Sequence, residues 1–133
     1  MKSICILIVD DEPHIRRLTE YSLRRGGYDH LVFAQNGREA LTLAEQTQPD
    51  LIIMDFVMPE MNGLGALAQL KARPNTSAIP VIMVSGCGEF HAFHDPEALG
   101  AAAVLSKPYS PTILLATAER LLTPPPTEPA LAA

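Results

Sequence analysis

Cysteine is scarce in this sequence, positive charge is in deficit, and no apolar run is long. The 133 residues include two cysteines. Cys5 lies in an apolar run and Cys87 in a glycine-flanked loop, without the close spacing that a metal cluster or a disulfide framework requires. That pattern fits a reduced, intracellular protein, and the expected localisation is cytoplasmic. Ten Lys and Arg stand against fifteen Asp and Glu, a net charge of −5, which is the wrong sign for a sequence-independent grip on phosphate backbones. Direct binding to nucleic acid is therefore not expected. The run from Ile4 to Val9 stops at two aspartates, too short for a signal sequence or a membrane span, so no membrane partner is expected either. The length suits one domain and leaves no room for a separate cofactor domain. A glycine-rich turn after the first apolar run is also missing: DDEPH stands there, and its carboxylates would repel a nucleotide phosphate in the absence of a metal.

What is present is enough apolar material for a core, 47% hydrophobic residues against 19% charged. Short β-branched runs alternate with helical stretches, the pattern of a parallel sheet with helices on both faces. SICILIV (3–9), LIIMD (51–55) and PVIMVS (80–85) are apolar without alternation, as strands buried on both faces are. DHLVFA (29–34) is a weaker second strand and AAVLS (102–106) a fifth. A helix is expected from Pro13 to Arg25, stopped by Gly26-Gly27. Asn36 and Glu39 form a capping box for a second helix running to Gln46, and Asn62 caps a third over 63–72. Between the fourth and fifth strands, Asp95-Pro96-Glu97 suggests a long loop and a short, late helix. Ser110-Pro111 opens the last helix, which ends near Leu122. The tail 123–133, with four of the twelve prolines, has no period and is expected to be disordered. The domain therefore spans 1–122.

In such a sheet, ligands bind beyond the carboxyl ends of the strands, where the strand order reverses. The first strand ends in Asp10 and Asp11, the third in Asp55, the fourth in Ser85 and the fifth in Lys107. Three carboxylates gathered in one place raise each other's pKa unless a cation sits among them. Carboxylate and carbonyl oxygens with open positions suit Mg²⁺, while a serine hydroxyl and a lysine ammonium suit a phosphoryl group carried by one carboxylate. The set has the chemistry for moving phosphate onto an aspartate.

These residues resemble the receiver domain of the two-component response regulator family. The matching pieces are IVDDEPHIRRL, DFVMPEMNG around Asp55, VSG at the end of the fourth strand and GAAAVLSKPYS around Lys107. Forty-four residues separate Asp11 from Asp55, 30 separate Asp55 from Ser85 and 22 separate Ser85 from Lys107, similar to the single-domain chemotaxis members. The resemblance implies a flavodoxin-like doubly wound α/β fold, a five-stranded parallel sheet of order 2-1-3-4-5 with helices on both faces. It makes Asp55 the phosphoacceptor, with Ser85 and Lys107 completing the catalytic set. It also implies Mg²⁺ held by Asp11, Asp55 and the carbonyl of Val57, with Asp10 acting partly through water, and a cis peptide at Lys107-Pro108. Gly86 leaves the phosphoryl group reachable. The implied partners are a histidine kinase or histidine phosphotransfer protein and a downstream protein target. Phosphorylation and dephosphorylation of its own aspartate would be the only catalysis, so the protein is not expected to be an enzyme in the usual sense.

Two features depart from the family. Val104 occupies the place of an aromatic three residues before Lys107, and Pro96 falls inside the expected fourth helix, so the read-out surface need not be the usual one. The alternative function is a degenerate receiver acting as a phosphorylation-independent interaction module. An aspartyl-nucleophile phosphatase would want an acid where Val57 stands. Cys87, His91, His94 and Asp95 cluster in sequence, but C-x₃-H-x₂-H is not a compact zinc spacing. His14 reads as a surface residue, and Arg16 and Arg17 as either a docking patch for a kinase or a solvated helix face. Ile113, Leu114 and Leu115 span about 200° of the last helix. Apolar surface is therefore expected outward on the face of the fourth and fifth helices and the fifth strand, for a target or a homodimer. With only eleven residues after Leu122, the expectation is a stand-alone switch.

Overall fold

The unbroken apolar runs become the middle of a sheet. In the computed structural model, which describes residues 4–56, 63–85, 100–107 and 109–122, β1 (Cys5–Val9), β3 (Leu51–Asp55) and β4 (Val81–Ser85) are buried along their whole length. β2 (His30–Ala34) and β5 (Ala103–Ser106) form the edges and are partly exposed. Every neighbouring pair is parallel and the order is β2-β1-β3-β4-β5, the doubly wound, flavodoxin-like arrangement that the sequence led us to expect. β1 starts after Ile4, at Cys5, because its ladder with β2 opens at the pair Cys5 and His30.

Successive side chains of a strand point to opposite faces, and the two faces carry separate cores. Leu7, Val9, Ile52, Met54 and Met83 pack under α2 (Gly37–Thr47) and α3 (Gly63–Ala72). Ile6, Ile8, Ile53, Ile82 and Val84 pack under α1 (Pro13–Arg25) and α4 (Pro111–Leu122). Local chemistry sets the helix ends. Pro13 opens α1 without a side-chain cap from Glu12. At α2, Asn36 Oδ1 accepts the Glu39 N–H at 2.8 Å, but Glu39 Oε1 accepts from Gln35 N–H at 3.0 Å, so the capping box closes one residue early. α2 continues to Thr47 and stops because Gln48 turns left-handed, φ 46°. Ser110 Oγ accepts the N–H groups of Thr112 and Ile113 at 3.0 and 3.4 Å and so caps α4.

The last helix turns apolar surface outward as expected, at one of its three consecutive apolar residues. Leu114 is fully buried, aligned with Ala118 one turn on; Leu115 is half-buried in the same core, its methyl groups lying over the Gly26 backbone. Ile113 is the residue that faces out, 53% exposed. Val57, Asn62, Gly86, the Cys87-His91-His94-Asp95 cluster, the expected short helix at Pro96, the Lys107-Pro108 peptide and the tail lie outside the described residues. Among the described residues no helix is long and apolar enough to cross a membrane.

Candidate functional site

β1 and β3 are neighbours, yet the chain leaves β1 for α1 on one face and β3 for α3 on the other. A crevice opens between their carboxyl ends. Asp10 follows β1, Asp55 ends β3, and both are buried, whereas Asp11 is exposed. One carboxylate oxygen from each lies within 4.8 Å of the others. Asp10 is firmly seated: its N–H donates to the Ala34 carbonyl at 3.1 Å, its Oδ1 accepts the Glu12 N–H at 3.0 Å, and its carbonyl accepts from the Arg16 guanidinium at 2.6 Å. Arg16 is thus half-buried and supports Asp10, while Arg17 and His14 are exposed.

β5 delivers the cation. Lys107 Nζ stands 3.1 Å from Asp55 Oδ2 and 3.2 Å from Asp10 Oδ2, with Glu12 Oε1 at 3.8 Å. The Lys107 backbone N–H donates to the Ser85 carbonyl at 2.7 Å, which ties the end of β5 to the end of β4 and places buried Ser85 beside the lysine. Burial alone would lower the Lys107 pKa, but its hydrogen bond and attraction to Asp55, and those to Asp10, outweigh it and hold the ammonium above the usual lysine range. The lysine is charged at neutral pH.

The site accordingly holds three clustered carboxylates with a single described ammonium among them, leaving surplus negative charge and hard oxygen donors. Asp10 spends both oxygens on Lys107 and Glu12 N–H, whereas Asp11 opens to solvent. A divalent cation with oxygen preference, Mg²⁺ above all, fits that donor set.

Sequence reasoning placed Asp10, Asp11, Asp55, Ser85 and Lys107 at strand ends, and the fold brings all five to one edge of the sheet. Val104 is half-buried against the α2/α3 core. Two supports, Thr19 and Tyr109, were missed, and a third, Gly63, was legible only as the start of the third helix. Gly63 approaches so closely that a Cβ there would lie 2.4 Å from the Asp55 carbonyl, and its N–H donates to the Phe56 carbonyl at 2.8 Å. Tyr109, two residues past Lys107, hydrogen-bonds the buried Thr19 of α1. Burial raises the phenol pKa, although the bond to Thr19 works the other way, and it stays protonated at neutral pH. A polar aromatic at a strand exit was the available signal.

Comparison with known proteins agrees with this geometry. The family model for the response regulator receiver domain matches residues 6–119. The alkaline phosphatase synthesis transcriptional regulatory protein PhoP of Bacillus subtilis is 38% identical over 118 residues, 88% of this chain and 48% of PhoP; the chain spans about half the length of the curated relatives it matches. The chemotaxis protein CheY4 of Vibrio cholerae superposes with a TM-score of 0.81 at 31% identity, covering 91% of this chain and 100% of CheY4. The receiver domain of a Pseudomonas aeruginosa sensor histidine kinase, with a magnesium ion coordinated in its active site cleft, superposes with a TM-score of 0.82 at 26% identity, covering 91% and 98% of the two chains.

Proposed function

Because the chain belongs to the response regulator receiver domain family of two-component systems, we propose that it accepts a phosphoryl group on Asp55 from a phosphohistidine of a kinase or phosphotransfer protein and changes its protein contacts in response. One observation carries this reading: Lys107 Nζ bridges the buried Asp55 and Asp10 carboxylates, with the exposed Asp11 within 4.8 Å. An Asp55 oxygen attacks phosphorus, the new O–P bond replaces the P–N bond of the donor, and the departing imidazole nitrogen takes up a proton. Lys107, already in contact with Asp55, neutralises charge on the transferring group in a loose transition state. Ser85, at the end of β4, donates its hydroxyl to a phosphoryl oxygen once the acyl phosphate exists. Asp11 and Asp55, with the Val57 carbonyl, would hold Mg²⁺, and Asp10 would act partly through water; bound Mg²⁺ supplies positive charge against the carboxylates and the phosphoryl oxygens. A downstream target or a second copy on the face of α4 and β5 would meet Ile113, not Leu114.

The test is incubation with Mg²⁺ and a small phosphodonor, followed by assay for an acid-stable, base-labile phosphoryl group. Asp55→Asn should abolish labelling. Ser85→Ala should still be labelled but respond less in conformation, read by the change in amide NMR shifts on phosphorylation. Equal and complete loss of labelling in both variants would overturn this division of roles.

A further inference from the structure

Thr19 departs from every other serine and threonine within the body of a helix among the described residues. Ser22, Thr42, Thr47 and Thr117 each donate to the carbonyl four residues back in their own helix, the usual local resolution for such side chains. Thr19, almost wholly buried on the inner face of α1, instead reaches across 90 residues of sequence to the Tyr109 hydroxyl. Its partner sits two residues beyond Lys107. On one flank Lys107 is held by its own N–H on the Ser85 carbonyl at 2.7 Å. On the other, the described residues leave an open groove of about 570 Å³ between α1 and the start of α4, bordered by Ile15, Leu18, Tyr21, Lys107, Tyr109 and Pro111, with Leu18 and Tyr21 exposed. Close packing is what ordinarily fixes a side chain. Where an open groove replaces it, a directional bond can hold the connection that carries the lysine.

We propose that Thr19 and Tyr109 form a positioning pair: their hydrogen bond ties the β5–α4 connection to α1 and so fixes Lys107 against Asp55 and Asp10. Neither residue touches the reacting atoms. They act through the lysine, whose ammonium must neutralise charge within about an ångström of its place, and small misplacements of a catalytic group cost rate steeply. The pair rests on the reading of Asp55 as phosphoacceptor only for its consequence in rate; the ordering of Lys107 is a property of the resting protein.

Both are measured on the full chain. Tyr109→Phe and Thr19→Val remove the bond with little change in shape, and Thr19→Ser retains a hydroxyl. With a small phosphodonor and saturating Mg²⁺, the limiting rate of Asp55 labelling should fall roughly three- to tenfold in Tyr109→Phe and Thr19→Val, the scale of one hydrogen bond. The donor concentration for half-maximal rate should stay unchanged, Thr19→Ser should recover most of the rate, and the double variant should lose no more than either single one. In the unlabelled protein, the ¹⁵N resonance of the Lys107 ammonium should broaden or vanish in the same two variants while the amides of β1 and β3 keep their positions. Unchanged rates with an unchanged Lys107 resonance would overturn the pairing, as would a Thr19→Ser variant as slow as Thr19→Val. Absence of any labelling in the unaltered protein, with the Lys107 effect present, would overturn the proposed function and leave the positioning pair standing.

Discussion

At Lys107 one side chain holds together charges that would otherwise push apart. Its side chain is 18% exposed and those of Asp10 and Asp55 are 6% and 7% exposed, so the three interact with little screening by solvent. Removing one partner of a buried pair leaves an uncompensated charge, which is costlier than losing the pair as a whole. Lys107→Met should therefore destabilise the protein by about 3 kcal/mol in metal-free buffer, the lower end for breaking a buried pair, measured by urea unfolding. In an Asp55→Asn background the same substitution should cost about half as much, since one of the two stranded carboxylates is gone. Equal costs in both backgrounds would mean that Lys107 contributes packing and not charge. The residues of this cluster were legible because each terminates an apolar run, a local signal. Thr19 was not, and Tyr109 showed only as a polar aromatic at a strand exit, because a bond spanning 90 residues leaves no trace of its partner in any short window of sequence.

The elements themselves were read well where periodicity and punctuation agree. α1 falls on Pro13–Arg25 as its proline and glycines imply, and the three central strands announce themselves as unbroken apolar runs. Periodicity served less well in the last helix: three consecutive apolar residues show that one must turn outward but do not say which. The choice falls to Leu114 as the buried residue because it shares a face with Ala118, leaving Ile113 in solvent. α3 illustrates a different limit. Gly63 is the first residue of the helix, as the sequence implies, but the pattern does not show how tightly it is enclosed: a Cβ would meet the Asp55 carbonyl at 2.4 Å, Met83 Cε at 2.8 Å and Phe56 Cα at 2.9 Å. Two of those three neighbours are backbone, which cannot swing aside. Gly63→Ala should cost about 2 kcal/mol of stability, in the range of an overpacked core, and should displace Asp55 enough to slow its labelling. An alanine variant with unchanged stability and labelling would show that the turn into α3 relaxes without strain.

Across the whole molecule, the two cores and the acidic cluster share the same strands. β1 and β3 carry apolar side chains to both helical layers and, at their carboxyl ends, the carboxylates that repel one another. The sheet is thus stabilised along its length and opposed at one edge, which gives a bound cation leverage on the fold as a whole. A ligand that binds only the folded state stabilises it by mass action, about 1.4 kcal/mol at ten times its dissociation constant, corresponding to a rise of roughly 5 °C in melting temperature for a domain of this size. Mg²⁺ should produce that rise in the unaltered protein. Chelation should return it to its starting value without unfolding it, because neither core depends on the metal. Asp11→Ala removes the solvent-facing carboxylate while leaving the buried Asp10, Asp55 and Lys107 contacts in place, so it should fold normally and lose the Mg²⁺-dependent rise. Calorimetric melts of both proteins across a magnesium titration make the comparison. A rise of equal size in Asp11→Ala would place the ion elsewhere and detach the acidic cluster from metal binding.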